Sequence, residues 1–245
     1  MINITVGSFK GGVGKSTVAL NFAYELSKYY KVLLVDTDPQ NSLAFFLCQE
    51  FKKGFSEILF EGENSEGLVK TPFLKENPNF YFLPTGVFCI KNPILYEDGF
   101  TVDLVRNFLT NISKFNFDFV VYDTPPRISK HIETLLNVSE DFLMVLNPDP
   151  ATYSSLKIFL QFIQKSGIKS EIYTIINKTE PTLISEDFTR LIVAELNKKN
   201  ILGILPTDKQ VSESQGKCKP IIMYNPEAPF SIFLKKAVLS YINSK

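Results

Sequence analysis

A glycine-rich segment near the start of the chain carries the residues best suited to chemistry. Residues 10–17 read Lys-Gly-Gly-Val-Gly-Lys-Ser-Thr, between a predicted strand and a predicted helix. Glycines let the backbone curl so that its N–H groups point at phosphate oxygens, and the helix N-terminus adds positive potential. The alternative, a simple glycine turn capped by Ser16, is disfavoured. The glycines, the lysine, the hydroxyl and the flanking strand and helix all match a phosphate-binding loop. We therefore predict that a nucleotide is bound by Lys10, Gly11, Gly12, Val13, Gly14, Lys15, Ser16 and Thr17.

Within this loop, two side chains have predicted roles. Lys15 can reach the β- and γ-phosphates of a nucleotide, and the hydroxyl of Ser16 can bind Mg²⁺. We accordingly predict a phosphate-binding loop that needs a divalent cation.

Three aspartates follow apolar runs that predict strands. Asp36 ends one run, Asp38 lies two residues beyond it, and Asp123 ends another run. Because ligands bind at the carboxyl edge of an open α/β sheet, we expect these carboxylates to face the phosphate loop. An apolar strand that ends in Asp is the arrangement that holds Mg²⁺ or its water in nucleotide hydrolases. The alternative is that Asp36 and Asp38 only cap a helix beginning near Asn41.

The elements that must position these residues alternate along the chain. Apolar runs typical of buried parallel strands cover residues 2–7, 31–36, 79–83, 117–123, 142–146, 172–176 and 201–205. Helical periodicity covers residues 16–30, 102–114, 152–164, 185–199 and 229–242. Strands that alternate with helices indicate βαβ units. We predict an α/β fold, a single P-loop NTPase domain over residues 1–245 with a mostly parallel twisted sheet and helices on both faces.

Composition excludes several classes of protein. The 26 Lys and Arg residues balance 26 Asp and Glu residues, so no global basic excess indicates a nucleic-acid partner. Cys48, Cys89 and Cys218 form no CxxC pair, so we expect no disulfide and a reducing, cytoplasmic environment. With neither a signal peptide nor an apolar run of about 18 residues, we expect no transmembrane segment.

The segment 51–79 is predicted to be a surface insertion, and His131 a surface residue.

The loop departs from the general phosphate-loop pattern in an informative way. Phe9 stands where that pattern has glycine, and Lys10 opens the loop as a second lysine. The sequence therefore resembles the ParA/MinD family of partitioning and positioning ATPases, with their deviant Walker A signature. The resemblance implies that Lys10 reaches across a nucleotide-sandwich dimer to the partner's phosphates. It also gives Asp38 a water-positioning role and Asp36 a supporting role around Mg²⁺.

Two further segments resemble the base-binding parts of this family. Asn177 follows a predicted strand where the family uses an Asn to contact adenine, although a turn-forming Asn is the alternative. The run 205–208, Leu-Pro-Thr-Asp, resembles a family motif whose proline packs on the base, which implies that Pro206 and Asp208 bind nucleotide. Cys218 stands where the family has a glycine.

Within the family, the motifs favour the small ParA type. Nitrogenase-reductase-like members need two cysteines near the switch segments, and this chain has none there. MinD-like members carry Ser-Gly before the signature lysine and end with an added membrane helix, whereas here Ser8 and Phe9 precede Lys10. The predicted helix at 229–242 is expected to belong to the core. A P-loop kinase is disfavoured because Arg106, Arg127 and Arg190 are the only arginines.

The resemblance implies an ATP-dependent dimerising switch ATPase with ATP and Mg²⁺ as cofactors. In its ATP state it would bind DNA without sequence preference, associate with the nucleoid, and partition plasmid or chromosomal DNA. A ParB-like or other partner would stimulate its slow hydrolysis. The alternative is a MinD-like or cargo-positioning ATPase acting on a membrane or a protein scaffold.

Non-specific DNA binding needs several cations on one face of the protein. Residues 184–245 hold nine basic and six acidic side chains, a local excess that the chain as a whole lacks. Ordinary solvated helix faces are the alternative, because lysine is a common surface residue. The candidate DNA-binding residues are Arg190, Lys198, Lys199, Lys217, Lys219, Lys235 and Lys236.

Overall fold

A central seven-stranded parallel sheet organises the protein. The computed structural model describes residues 1–69, 76–126, 129–196 and 200–245. The strands are β1 Ile2–Gly7, β2 Val32–Asp36, β3 Phe80–Leu83, β4 Phe119–Asp123, β5 Asp141–Leu146, β6 Glu171–Thr179 and β7 Ile201–Pro206. Their order is β3-β2-β4-β1-β5-β6-β7, with every neighbouring pair parallel. The order reverses direction beside β1, which places ligand sites at the carboxyl ends of the central strands.

Helices cover both faces of the sheet. In the described part of the chain they are α1 Lys15–Leu26, α2 Ser42–Phe46, α3 Phe55–Phe60, α4 Glu66–Val69, α5 Phe88–Lys91, α6 Pro93–Gly99, α7 Val102–Ile112, α8 Lys130–Leu136, α9 Pro150–Ser166, α10 Leu183–Glu195, α11 Gln210–Gln215, α12 Ile221–Tyr224 and α13 Pro229–Asn243. This layering confirms the predicted P-loop NTPase fold class. None of the helices in the described residues is both long and apolar enough to cross a lipid bilayer.

Continuous apolar strands arise because both faces of the sheet are buried. In β2, Leu34 joins the core under α1 and α13, whereas Leu33 and Val35 join the core under α3 and α7. Successive side chains of a strand point to opposite faces, so a doubly covered strand needs an apolar residue at every position. A third cluster lies between β5, β6 and helices α8, α9 and α10.

The last helix contributes to the core, as expected. Phe230, Leu234 and Val238 of α13 are fully buried or nearly so, and the Tyr241 ring packs edge-on against Phe22 of α1. The outer face of the helix leaves Phe233 partly exposed. Helix α13 therefore closes one face of the sheet.

The prediction of a surface insertion at 51–79 is wrong for α3. Phe55 is fully buried and packs edge-on against Phe108 of α7. The buried carboxylate of Glu57 accepts hydrogen bonds from the backbone N–H groups of Gly54, Val87 and Phe88, which anchors the segment beside β3. A helix of six residues is too short to show periodicity, so the sequence carried no signal for it.

His131 is buried, not a surface residue. Its ring lies 4.0 Å from that of Phe100 and 4.7 Å from that of Tyr96, and its side chain has no exposed area. Helix α8 packs here against α6 and α7. The aromatic neighbours come from α6 and the residue that follows it, far earlier in the chain, which no local pattern could reveal.

The expectation of no disulfide is also wrong, because Cys48 and Cys218 are bonded to each other. They are 170 residues apart in the chain with Cα atoms 5.4 Å apart. Spacing rules that search for nearby cysteine pairs cannot detect a bridge between such distant segments. Cys89 remains a buried thiol.

Candidate nucleotide site

The glycine-rich loop connects β1 to α1 at the carboxyl edge of the sheet. Gly12 and Gly14 have φ values of 76° and 92°, in the left-handed region that favours glycine. A Cβ atom on Gly14 would collide with the side-chain amide of Asn177. The loop therefore needs glycine at position 14 for both backbone conformation and space.

The end of β6 holds this loop in place. The Asn177 amide donates a hydrogen bond to the carbonyl of Val13 at 2.8 Å, and the Lys178 ammonium donates to the carbonyl of Gly12 at 2.6 Å. Asn177 is buried and spans from strand to loop. These contacts join distant segments, so Asn177 does not have the turn-forming role that was the alternative hypothesis for it.

Two of the predicted acids lie side by side on neighbouring strands. Asp36 of β2 is in register with Asp123 of β4, and neither side chain has exposed area. Asp36 accepts hydrogen bonds from the backbone N–H groups of Asp38 and Leu43 at 3.0 and 3.2 Å. The carboxylate oxygens of Asp123 have no hydrogen-bond partner among the described residues. The pair thus places two buried carboxyl groups at the loop, where Lys15 is the cation that acts on Asp123.

Burial shifts the titration of both acids. It raises the pKa of Asp123 to about 6, although Lys15 and the Ser16 hydroxyl act in the opposite direction. Burial, and then the charge of Asp123, raise the pKa of Asp36 well above its usual range. Binding a cation beside such a buried carboxylate stabilises its charged form, because the cation supplies the opposite charge that burial in the protein denies it.

These residues fit a magnesium ion. Mg²⁺ prefers oxygen ligands and is bound by one or two protein groups together with water and phosphate oxygens. Buried Asp123, with Ser16 and Asp36 near it, supplies such oxygens. No cluster of three or more His, Cys, Asp or Glu able to hold an ion occurs in the described residues.

Lys15 and Asp38 are also buried, and together with Asp36 and Asp123 they form the end of the site nearest the glycine loop, here called the phosphate end. Lys15, the first residue of α1, is only 6% exposed and contributes to the field on Asp123. Asp38, also 6% exposed, lies in the loop after β2 and accepts a hydrogen bond from the backbone N–H of Gln40 at 3.0 Å. Asp36, not Asp38, interacts with the first turn of α2, so a capping role explains only part of the motif.

Lys10 pairs with an acid of its own chain. Its ammonium lies 2.9 and 2.8 Å from the two carboxylate oxygens of Asp149, which also caps α9 through the N–H of Thr152. Burial favours a higher pKa for Asp149, but the hydrogen bonds from Lys10 and Thr152 outweigh it and lower the pKa. Sequence reasoning missed Asp149, although it lies in the short segment between β5 and α9 at the ligand edge of the sheet.

A cavity of about 770 Å³ opens beside the loop and is large enough for a nucleoside. Two residues predicted to bind the base, Pro206 and Asn177, line it together with Thr17, Ile184 and Phe230. The walls are therefore mixed apolar and polar, as a base and a ribose require.

Asp208 shapes this wall with its carboxylate. Its two oxygens accept hydrogen bonds from the backbone N–H groups of Gln210 and Phe230, at 2.9 and 3.2 Å. Asp208 lines the cavity and also holds α11 and α13 at its rim.

The candidate DNA-binding residues are not all on one face. Arg190 lies on α10, beside α9 and β6, and approaches Glu186 and Asp187 at 3.7 and 3.9 Å. Lys235 and Lys236 lie on α13, which covers the opposite face with α1. The candidate basic residues therefore divide between two faces of the sheet.

The remaining basic candidates differ in their surroundings. Lys217 and Lys219 are exposed in the segment between α11 and α12, whose helices pack toward α13 and α1. The ammonium of Lys235 donates to the carbonyl of Pro226, and that of Lys236 lies over the ring of Phe233. Lys198 and Lys199 lie outside the described residues.

Comparison with known proteins supports this reading of the fold. A family profile described as AAA domain matches residues 1–178, which include the phosphate loop and the three acids. A putative plasmid partition protein from Borrelia burgdorferi B31, bound to AMPPNP, superposes with a TM-score of 0.83 at 21% identity, covering 100% of this chain and 99% of that one. The MinD cell division protein of Aquifex aeolicus superposes with a TM-score of 0.81 at 20% identity, covering 100% and 98%.

Curated relatives point to the same group. A putative septum site-determining protein MinD from Emiliania huxleyi is 24% identical over 227 residues, covering 90% of this chain and 79% of the relative. A cytosolic Fe-S cluster assembly factor, the Nubp2 homolog of Drosophila persimilis, is 27% identical over 252 residues, covering 96% and 94%. These similarities confirm the resemblance to ParA/MinD proteins that the loop indicated.

Proposed function

The chain belongs to the AAA domain family and is of the ParA/MinD type; on that premise we propose that it is an ATP-dependent switch ATPase. One observation carries the proposal: a glycine loop at the end of β1 faces two buried acids, and one of them has no hydrogen-bond partner in the described residues. A polyanionic ligand with a divalent cation neutralises this arrangement. We take residues 1–245 as a single ATPase domain.

Each site residue has a proposed role. The N–H groups of residues 11–17 and the ammonium of Lys15 bind phosphate oxygens, and Asp38 orients the attacking water. Ser16, Asp123 and Asp36 hold Mg²⁺, which when bound neutralises charge that develops on the phosphates. Around the base, Asn177, Pro206 and Asp208 form the wall. Solved relatives support these ligands, because the Borrelia protein is bound to AMPPNP and a Pyrococcus horikoshii MinD is complexed with Mg-ADP.

For Lys10 we propose a role across a dimer. Its ammonium neutralises the phosphates bound by a second copy of the chain in the ATP state. In the structure this ammonium is paired with Asp149 of its own chain. Dimerisation must therefore exchange an intramolecular ion pair for an intermolecular one, which makes the dimer conditional on ATP.

We propose that the ATP dimer binds DNA non-specifically and partitions plasmid or chromosomal DNA at the nucleoid, with a ParB-like partner that stimulates hydrolysis. The similarity to a plasmid partition protein supports this, as do the exposed lysines at 217, 219 and 236.

A second candidate is a MinD-like ATPase that acts on a membrane or a protein scaffold. It is favoured by the similarity to septum site-determining proteins, and by a solved MinC:MinD complex of Aquifex aeolicus at 20% identity. Both candidates share the nucleotide chemistry and differ in the surface that the ATP dimer binds.

One experiment separates the two candidates. DNA mobility shift and liposome pelleting are each measured with ADP, with ATP and with a non-hydrolysable ATP analogue, over a series of salt concentrations. The first candidate requires a salt-sensitive DNA complex that appears only with ATP or its analogue. Liposome binding under the same conditions, without a DNA shift, would establish the second.

A further inference from the structure

The disulfide between Cys48 and Cys218 joins the carboxyl ends of two short helices. Cys48 follows α2 and Cys218 follows α11, with φ values of 51° and 56° in the left-handed region. The residue after each cysteine donates its N–H back to the preceding helix, Gln49 to Ala44 and Lys219 to Ser214. Such helix ends favour glycine, yet here each supplies a thiol to the other.

Both helices start at the nucleotide site. At the beginning of α2, the N–H of Leu43 donates to Asp36, one of the two buried acids. At the beginning of α11, the N–H of Gln210 donates to Asp208 in the base-side wall. The bond therefore connects, at their far ends, a helix tied to the cation side and a helix tied to the base side.

Helix α11 is itself part of the cavity wall. Val211, Ser212 and Gln215 line the cavity, and the Gln215 amide donates to the hydroxyl of Thr17 at 3.3 Å. Helix α11 buries only Ser214 completely, and Val211 is its one apolar side chain partly buried against the core. A wall with so little buried apolar surface depends on other constraints to keep its position.

The bond is open to exchange with external thiols. Cys48 is exposed and Cys218 half-buried, and exposed disulfides are the ones that exchange readily. A dithiol reductant attacks one Sγ, the S–S bond breaks, and the other cysteine leaves as a thiolate that takes up a proton. The second thiol of the reductant then releases the first cysteine, so two electrons pass from dithiol to disulfide. A small-molecule disulfide reverses the process and is itself reduced to two thiols.

We propose that the Cys48–Cys218 pair is a redox-controlled clamp on the nucleotide site. When bonded, it holds α11 against the loop and α2 and so preorganises the base-side wall. When reduced, it releases α11, and ordering that wall becomes an added cost of nucleotide binding. The inference rests on the proposed nucleotide function and adds a regulatory input to it.

The test measures the Kd for a fluorescent ADP analogue with Mg²⁺, first in a buffer of a small-molecule disulfide and then after reduction by a dithiol. We expect reduction to raise the Kd by about three- to tenfold. The double variant Cys48→Ser with Cys218→Ser should have the reduced-state Kd in both buffers. Amide hydrogen exchange, which needs no nucleotide, should increase on reduction in residues 209–224.

Cys89 provides the matched control. Its thiol is buried and its pKa is raised by burial to about 11, so Cys89→Ala should keep the full redox response. Thiol titration of the folded protein should find no reactive thiol before reduction and two after it.

The outcomes separate this inference from the proposed function. Equal Kd values in both buffers, with two thiols released, would overturn the clamp while leaving nucleotide binding intact. Failure of the pair to bond in the disulfide buffer would also overturn it. No binding in either buffer would overturn the proposed function, and the clamp with it.

Discussion

The phosphate end of the site and the basic surface of the carboxyl-terminal half both depend on charge, yet they differ in how that charge is held. Lys15, Asp36 and Asp123 are 6% exposed or less, and the two acids have raised pKa values. Arg190 and Lys236 are exposed and interact with neighbours on their own helices. Burying a charge without a full set of partners is costly, whereas exposed charges are common on any surface. A buried charge is therefore evidence for a function of that particular residue, whereas a single exposed charge is not.

The largest effect we expect tests the water-positioning acid. Asp38→Asn keeps an acceptor for the N–H of Gln40 and should lower ATP hydrolysis by about 10²- to 10⁴-fold. Nucleotide affinity should change less than about threefold, because the acid acts on the water and not on the bound phosphates. Phosphate release and ADP-analogue binding measure the two quantities. Parent-like hydrolysis would remove Asp38 from the reaction.

The second prediction concerns the phosphate lysine. Lys15→Ala should weaken ATP-analogue binding by about 100-fold, since a buried ammonium bonded to phosphate contributes about 3 kcal/mol. Lys28→Ala is the matched control, because Lys28 follows the other end of α1 and pairs with Glu25. Calorimetric titration of both variants gives the comparison. Equal affinities in the two variants would show that the buried lysine does not bind phosphate.

The third prediction sets function against stability at the acid pair. Asp123→Asn should raise the free energy of unfolding of the nucleotide-free protein by about 1–2 kcal/mol, because it removes one of two buried acids on neighbouring strands. The same change should abolish the Mg²⁺ dependence of nucleotide binding. Urea unfolding and binding with and without EDTA measure the two effects. A destabilised variant would mean that the Asp123 carboxylate is already neutralised within the folded chain.

The fourth prediction tests the exchange of partners by Lys10. Lys10→Ala should weaken the ATP-dependent dimer by about tenfold while leaving monomer nucleotide binding intact, as loss of one charged contact would. Asp149→Asn releases Lys10 from its partner and should leave the dimer at least as strong as in the parent. Analytical ultracentrifugation with the ATP analogue compares the three proteins. An unchanged dimer in Lys10→Ala would exclude a role across the interface.

The smallest effects are expected on the basic surface. Lys235→Ala with Lys236→Ala should reduce the slope of log affinity for DNA against log salt by up to roughly two, with ATPase activity intact. Lys217→Ala with Lys219→Ala should act similarly, since these lysines lie toward the same side. Arg190→Ala, on the opposite face, is the control. Unchanged slopes in both double variants would favour a membrane or scaffold partner.

Local sequence determined the phosphate end almost completely. The glycine loop needs its residue types within eight positions, and the buried strands that precede Asp36 and Asp123 are continuous apolar runs. The seven predicted strands and the five predicted helices have boundaries within a few residues of those observed, with α1 ending at Leu26 instead of residue 30 and β6 extending to Thr179. The shorter helices, such as α3 and α11, were not predicted. Periodic elements of this length carry their own signal.

Only the tertiary structure decided the contacts between distant segments. It placed Asp149 on Lys10, stacked His131 on Phe100, buried α3 through Glu57 and bonded Cys48 to Cys218. It also divided the basic residues between two faces of the sheet. Each of these depends on which side chains meet after the strands take their order, and that order is a property of the whole sheet. A motif consists of neighbouring residues and can be recognised in the sequence. A contact between distant segments forms only when the chain has folded, so the sequence pattern does not show it.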